Sequence, residues 1–210
     1  MNQQHEYIGT RKLLIGIVLA VITFWLFANS LINVIPNLQT SFGSYLSTIS
    51  IAVSLTALFC GMFVVGAGSL ADYFGRVRLT IIGLWLNIFG SLLIIVSDYI
   101  PLLLMGRAIQ GLSAALIMPA TLSLIKAYYH GDKRQRALSL WSIGSWGGSG
   151  FASLFGGMIA TFLSWRWIFV FSIIVPLIAV LLIKGTPESK NQHASSRQFD
   201  IVGLILLVVM

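Results

Sequence analysis

The residues able to do chemistry in this chain are few, and they are charged or amide side chains rather than nucleophiles. Asp72 and Arg76 stand four apart, with Arg78 just beyond and Gly68 and Gly75 nearby. On a helix, i and i+4 are neighbours, so this carboxylate and guanidinium can pair. At a membrane edge such an ion pair adds under about 1 kcal/mol. Arg107 is a charge inside an apolar stretch, with Gln110 one turn on and on the same face. By helical rise it lies about 9 Å in from Pro101. A charge there costs at least about 2.5 kcal/mol if it faces lipid. Arg107 must therefore face a cavity or a polar partner, or else snorkel to the headgroups. Asn29 and Asn33, one turn apart, can hydrogen-bond a small molecule or another helix, but neither carries a proton. No carboxylate lies deep in an apolar stretch, because Asp72 and Asp98 sit at edges. His5, His130 and His193 are too dispersed for a metal site. Cys60 is the only cysteine and reads as a small buried apolar residue. No Ser, His or Cys constellation suggests catalysis. Trp25, Trp141 and Trp146 offer flat surfaces that suit hydrophobic cations, although most aromatics in such a chain face lipid or core.

Six long apolar stretches must position these residues: Leu13–Ile35, Leu46–Ala71, Leu79–Val96, Pro101–Ile125, Ala137–Leu163 and Ile168–Ile183. The chain has 210 residues, 57% hydrophobic and 9% charged. A soluble domain carries about a quarter charged residues, so the outer surface here must meet lipid. A bilayer core about 30 Å thick takes roughly 20 apolar residues per helix. Backbone groups in lipid pair within their own segment, which makes the stretches helices. A transmembrane barrel would instead show short alternating segments. Arg11 and Lys12 before an apolar run resemble a signal peptide, but the run is too long and no small-residue cleavage site follows. The expected class is an all-α membrane protein.

Pro36 and Asn37 stop the first stretch, Lys126 to Arg136 form a charged loop, and Ser164 to Trp167 form a tight turn. Trp165 and Trp167 in that turn read as interfacial anchors rather than a site. The expected organisation is an N-terminal segment over 1–12, a six-helix bundle over 13–183 and a polar linker over 184–200. A seventh apolar run over 201–210, about 15 Å long as a helix, reads as a span cut short. Lys and Arg fall on one side of this scheme. Arg11, Lys12, Arg76, Arg78, Lys126, Lys133, Arg134, Arg136, Lys184, Lys190 and Arg197 are in the N-terminus, alternate loops and the linker; the other three loops hold only Arg166. That bias places the N-terminus and the linker in the cytoplasm, with an even number of crossings between them. The net charge of +7 follows from topology. It forms no basic stripe with interleaved aromatics, which argues against nucleic acid as a partner.

Four stretches carry a family resemblance. GSLADYFGRVR, residues 68–78, resembles the loop between the second and third helices of the major facilitator superfamily. LLLMGRAIQGLSAA, residues 102–115, is similar to its fourth-helix motif. SIGSWGGSGFASLFGG resembles the antiporter motif of its exporters, and GTPESK matches a common cytoplasmic exit. FDIVGLILL after the linker looks like the seventh helix of the fourteen-span drug:proton antiporter branch. The resemblance implies a bundle built from two inverted three-helix repeats, with a second bundle missing from this chain. It implies that Asp72 and Arg76 gate the cytoplasmic side, with Gly68 and Gly75 permitting close approach and a tight turn. It implies that Arg107, with Gln110, tunes proton binding nearby. The chain departs from the fullest gate motif at Tyr73 and Val77, and from the antiporter motif at Ala152–Ser153, where a Gly-Pro is usual. Position 28 is alanine where many members of the branch carry an aspartate.

Gly144, Gly148, Ala152 and Gly156 fall four apart on one stripe, which lets helices pack backbone to backbone; Gly156–Gly157 also persists from the motif. Packing alone explains the stripe, and the exporter resemblance adds a hinge at the bundle interface. The function expected is proton-coupled efflux of hydrophobic or cationic drugs by alternating access, with the proton gradient as energy source and no cofactor. The expected partners are the lipid bilayer, the small molecules carried and the missing bundle. As a half-transporter the chain is expected to be inactive alone. Two rivals stand beside this reading: an uptake symporter of the same family, and a non-transporting truncated membrane protein.

Overall fold

The apolar runs break where glycine, proline or charge interrupts them, and most helix ends fall near those places. The computed structural model describes residues 7–189, apart from the side chains of residues 27–29. The expected seventh run, most of the linker with Lys190 and Arg197, and the side chain of Asn29 lie outside the described residues. The elements are α1 (Arg11–Ser30), a 3-10 turn (Leu31–Val34), α2 (Ile35–Phe42), α3 (Leu46–Phe74), α4 (Arg76–Ile95) and α5 (Ile100–Tyr128). After them come α6 (Gly131–Ser142), a π turn (Ile143–Gly147), α7 (Gly148–Phe162) and α8 (Arg166–Ile183).

Five helical stretches are long and apolar enough to cross a membrane: Arg11–Phe42, Leu46–Phe74, Arg76–Ile95, Ile100–Tyr128 and Arg166–Ile183. The fifth expected span, Ala137–Leu163, lies in the helical rod formed by α6, the π turn and α7. Its first turns carry Asp132, Lys133, Arg134 and Arg136, and the apolar stretch starts after them.

Two boundaries differ from expectation. Pro36 does not stop the first span. It sits in the first turn of α2, where its missing N–H would have had no helical acceptor, so the helix carries on to Phe42. Gly43, left-handed at φ 57°, ends it. The charged loop expected over Lys126–Arg136 shrinks to Tyr129 and His130, because helix pairs its own backbone as well in water as in lipid and so continues beyond the apolar stretch.

The six rods pack in a pattern that maps onto itself. The first rod, α1 with α2, packs on the fifth, α6 with α7, and on the sixth, α8. The fourth, α5, packs on the second, α3, and on the third, α4; the third also packs on the sixth. Exchanging rods one to three with four to six leaves this set of neighbours unchanged, as expected of two three-helix repeats. A shared local device holds the repeats together. Thr56 on α3 donates its hydroxyl to the Arg107 carbonyl at 3.1 Å, one turn before Gly111 on α5. Ser30 on α1 does the same to the Ala152 carbonyl at 3.1 Å, one turn before Gly156 on α7. A Cβ on Gly156 would stand 2.7 Å from the Ser30 carbonyl oxygen, and one on Gly111 2.5 Å from that of Thr56. Only a bare backbone permits either approach.

The cationic turns share one end of the bundle. Gly9 N–H donates to the Tyr128 carbonyl at 2.8 Å, the Tyr128 hydroxyl donates to the Pro187 carbonyl, and Arg76 N–H donates to the Ser189 carbonyl at 3.1 Å. At the other end Trp165 Nε1 donates to Ser41 Oγ at 3.0 Å, and Arg166 to the carbonyls of Ile95 and Ser97.

Candidate functional site

Three groups of polar residues occur along the bundle. The first is the turn between α3 and α4. Gly75 adopts φ 118°, ψ 137°, which a side chain would oppose, and reverses the chain in a single residue. Arg76 then folds back on Asp72, with Nη2 at 2.8 Å and Nε at 3.1 Å from the same carboxylate oxygen. Its Nη1 reaches the Ser123 carbonyl on α5 at 3.4 Å and Ser189 Oγ at 3.3 Å. The Asp72 side chain stays 34% exposed, so solvent screens the pair and it contributes little to stability. Arg78 is exposed, with Nε 4.0 Å from Glu188. Gly68 is not at a tight contact. The nearest atom to a Cβ there would be Pro119 Cβ at 3.7 Å, an ordinary distance, so the close approach expected at this glycine is absent.

Glu188 completes this turn. Its carboxylate accepts the N–H of Val77 at 2.9 Å and of Arg78 at 3.0 Å, capping the N-terminus of α4 from more than 100 residues away. An anion at a helix start satisfies otherwise unpaired donors and the positive end of the dipole. The GTPESK exit is legible in sequence, but its glutamate's partner is not, because nothing local links the two. At the same end of the bundle, Tyr129 donates to the Thr10 carbonyl at 2.7 Å. Burial, and then the neighbouring Tyr7, push its hydroxyl up to about 12. It therefore stays a neutral donor over the whole physiological range.

The second group surrounds Arg107, which is 1% exposed. Its Nε donates to the Ala52 carbonyl at 3.2 Å, Nη2 to the Val53 carbonyl at 3.4 Å and Nη1 to Gln110 Oε1 at 2.9 Å. Gln110 Nε2 donates to Ser91 Oγ at 2.9 Å, and Ser91 donates to Ser172 Oγ at 3.1 Å. Asn87 Nδ2 reaches the carbonyl and hydroxyl of Ser172 at 2.8 and 3.0 Å. A buried polar chain thus runs from α3 through α5 and α4 to α8. Sequence reasoning named Arg107 and Gln110 and missed Asn87, Ser91 and Ser172. The one-turn spacing of Asn87 and Ser91 inside an apolar run was the available signal.

The third group lines a cavity of about 710 Å³ on the face of the bundle. Phe24, Trp25, Trp141 and Trp146 form its aromatic walls, and Thr56, Cys60, Ser145 and Arg107 are among the other lining residues. All three tryptophans singled out from sequence are there. Trp25 and Trp146 stack at 6.0 Å, 23° from parallel, and Trp141 is held by a 3.1 Å bond from Nε1 to Thr121. The π turn helps to bring this about. Five residues separate Trp141 from Trp146, which on a regular α-helix would point about 140° apart; the wider turn at Ile143–Gly147 reduces that divergence. Asn33 is exposed on the 3-10 turn and is not in the cavity wall. Cys60, expected to be buried, is half-buried and faces the cavity.

The glycine stripe faces inward. A Cβ on Gly144 would meet Val18 at 3.3 Å, and one on Gly148 would meet Trp25 at 3.3 Å. Ala152 and Gly156 meet Ser30. The stripe is thus the seam between α7 and α1 within one bundle. Gly157 has open space around it.

Comparison with known proteins agrees with this geometry. The Major Facilitator Superfamily model matches residues 13–208. The chain is 67% identical over 202 residues to the Quinolone resistance protein NorB of Staphylococcus aureus, strains JH9 and Newman among others. That match takes in 96% of this chain and 44% of the relative, so the chain spans less than half the length of these curated relatives. Among solved structures, a D-xylose-proton symporter superposes with a TM-score of 0.73 at 16% identity, over 85% of this chain and 48% of its own. A peptide transporter POT in complex with sulfate superposes at 0.72 and 16% identity, over 94% and 44%. At that identity the likeness is one of fold.

Proposed function

The chain belongs to the major facilitator superfamily, and on that premise we propose that its six rods are the amino-terminal bundle of a proton-driven exporter of hydrophobic and cationic drugs. The observation that carries the reading is 67% identity, along 96% of the chain, to a protein named for quinolone resistance. The aromatic cavity supports it: an apolar recess of about 710 Å³ has room for a drug-sized molecule. In this reading a second bundle faces the cavity, and the two rock about it to open each side in turn. The eleven cations of the N-terminus, alternate loops and linker keep that end in the cytoplasm. Asp72 and Arg76 then lie at the cytoplasmic gate. The residues lining the cavity include no Asp or Glu. The proton-binding carboxylate accordingly belongs to the second bundle, with Arg107 setting the field in which it titrates.

The test is drug accumulation in cells with and without the gene that encodes these residues. Deletion is expected to raise ethidium or quinolone content, and a protonophore to abolish the difference. Equal accumulation in the two strains would count against export.

A further inference from the structure

The cations at the end of the bundle that holds the α3–α4 turn differ in what they meet. Arg76 pairs with Asp72, and Arg78 with Glu188. Lys133, Arg134 and Arg136, in the first two turns of α6, form no ion pair with a described residue; even Asp132, one turn before Arg136, does not reach it. Lys133, Arg136, Leu140 and Ile143 are all exposed and fall at i, i+3, i+7 and i+10, on one face of the helix. That face changes character along its length. Leu140 is 43% and Ile143 64% exposed, and in a chain whose outer surface meets lipid these side chains belong among acyl chains. Arg136 is about 10 Å nearer the water than Ile143, and Lys133 a further turn out. Both cations thus come to the depth of the lipid phosphates. An open recess of about 600 Å³ follows the same side of α6, lined by Asp132, Gln135, Arg136, Ser139 and Leu140. Its outer end is polar and its inner end apolar.

We infer that this face of α6 binds an anionic glycerophospholipid of the cytoplasmic leaflet. Lys133 and Arg136 hold its phosphate, Gln135 and Ser139 its headgroup hydroxyls, and an acyl chain lies along Leu140 and Ile143. The inference is independent of what the aromatic cavity carries. Charge selects the occupant. Over 132–136 the helix carries three cations and one acid, which favours a lipid of net negative charge over a zwitterionic one that brings its own ammonium beside the phosphate. The polar linker is a poorer match, because over 190–200 it offers Asp200 alone against Lys190 and Arg197. A guanidinium and a phosphate also form charge-assisted bonds in a fixed geometry, which a diffuse ion atmosphere does not.

Native mass spectrometry of the full 210-residue chain in a neutral detergent tests this, with phosphatidylglycerol or phosphatidylcholine added in matched amounts. Phosphatidylglycerol is expected to bind roughly tenfold more tightly, since each cation beside an anionic headgroup adds about fivefold. Lys133→Gln combined with Arg136→Gln is expected to remove that preference and to leave phosphatidylcholine binding unchanged, which shows that the variant is folded. Arg136→Lys is expected to retain part of the preference, because the charge stays and the fork is lost. Arg11→Gln combined with Lys12→Gln removes the same charge from the same end of the bundle and is expected to keep it. Loss of the preference in both double variants reduces the effect to net charge and overturns the site. No preference in the wild-type chain, or a preference that survives in the α6 double variant, overturns it as well. Displacement of the lipid by glycerol 3-phosphate, which has no acyl chain, means that a soluble anion fills the recess and overturns the lipid assignment.

Discussion

Gly75 is the residue on which the turn between α3 and α4 depends most directly. Its φ of 118° suits only glycine, and an added Cβ would run into the Glu188 carboxylate that caps α4. Gly75→Ala should therefore cost at least about 1 kcal/mol in backbone strain and also displace the exit segment. Faster proteolysis of the segment after Ile183, with a lower melting temperature, is the expected result; unchanged values for both would contradict the geometry. Asp72 and Arg76 were legible from their spacing, because i,i+4 pairs on a helix are local. Glu188 was not, because its contact spans over 100 residues and only the packed bundle creates it. Arg107 was legible by elimination, since a charge in an apolar run must find a polar setting. Its polar setting was only partly legible: Gln110 is one turn away, whereas Ser91 and Ser172 belong to other helices.

At the scale of helices, the α1–α7 seam makes a paired prediction. Gly156 and Gly157 are adjacent and identical in type, yet a Cβ on the first would stand 2.7 Å from the Ser30 carbonyl oxygen while the second has nothing within 4 Å. Gly156→Leu should destabilise the bundle by about 3 kcal/mol or more, since backbone rather than a flexible side chain must move. Gly157→Leu should be near neutral. Thermal unfolding of the two variants in detergent separates them, and equal losses would mean that the seam is not where the structure has it. The stripe itself followed from its four-residue period. Its partner helix did not, because small residues announce close packing without naming the neighbour. The π turn at Ile143–Gly147 was missed for a related reason: a widened turn leaves no single diagnostic residue. Span limits were close except at Pro36 and after Lys126. There the chain stays helical beyond the apolar stretch, and hydrophobicity, the signal that was read, stops marking the helix.

For the molecule as a whole, orientation is the property that every functional statement shares. Asn37 on α2 and Lys133 on α6 are both exposed and lie at opposite ends of the bundle. Single cysteines placed there, in a background with Cys60→Ala, should be labelled by an impermeant maleimide from opposite faces of intact cells, Asn37→Cys from outside and Lys133→Cys only after lysis. Labelling of both from one face would contradict the topology, and labelling with the two faces exchanged would reverse it. The self-mapping arrangement of the six rods bears on one loose end in that charge pattern. Three crossings is an odd number, so a duplicated triplet enters the bilayer upside down and carries its parent's cations to the wrong compartment. Arg166 opens α8 as Arg76 opens α4. It holds in the sixth rod the place that Arg76 holds in the third, at the opposite end of the bundle. There it is tied to the Ile95 and Ser97 carbonyls and stacked 4.6 Å over Trp165, so an inverted repeat accounts for a cation at that end.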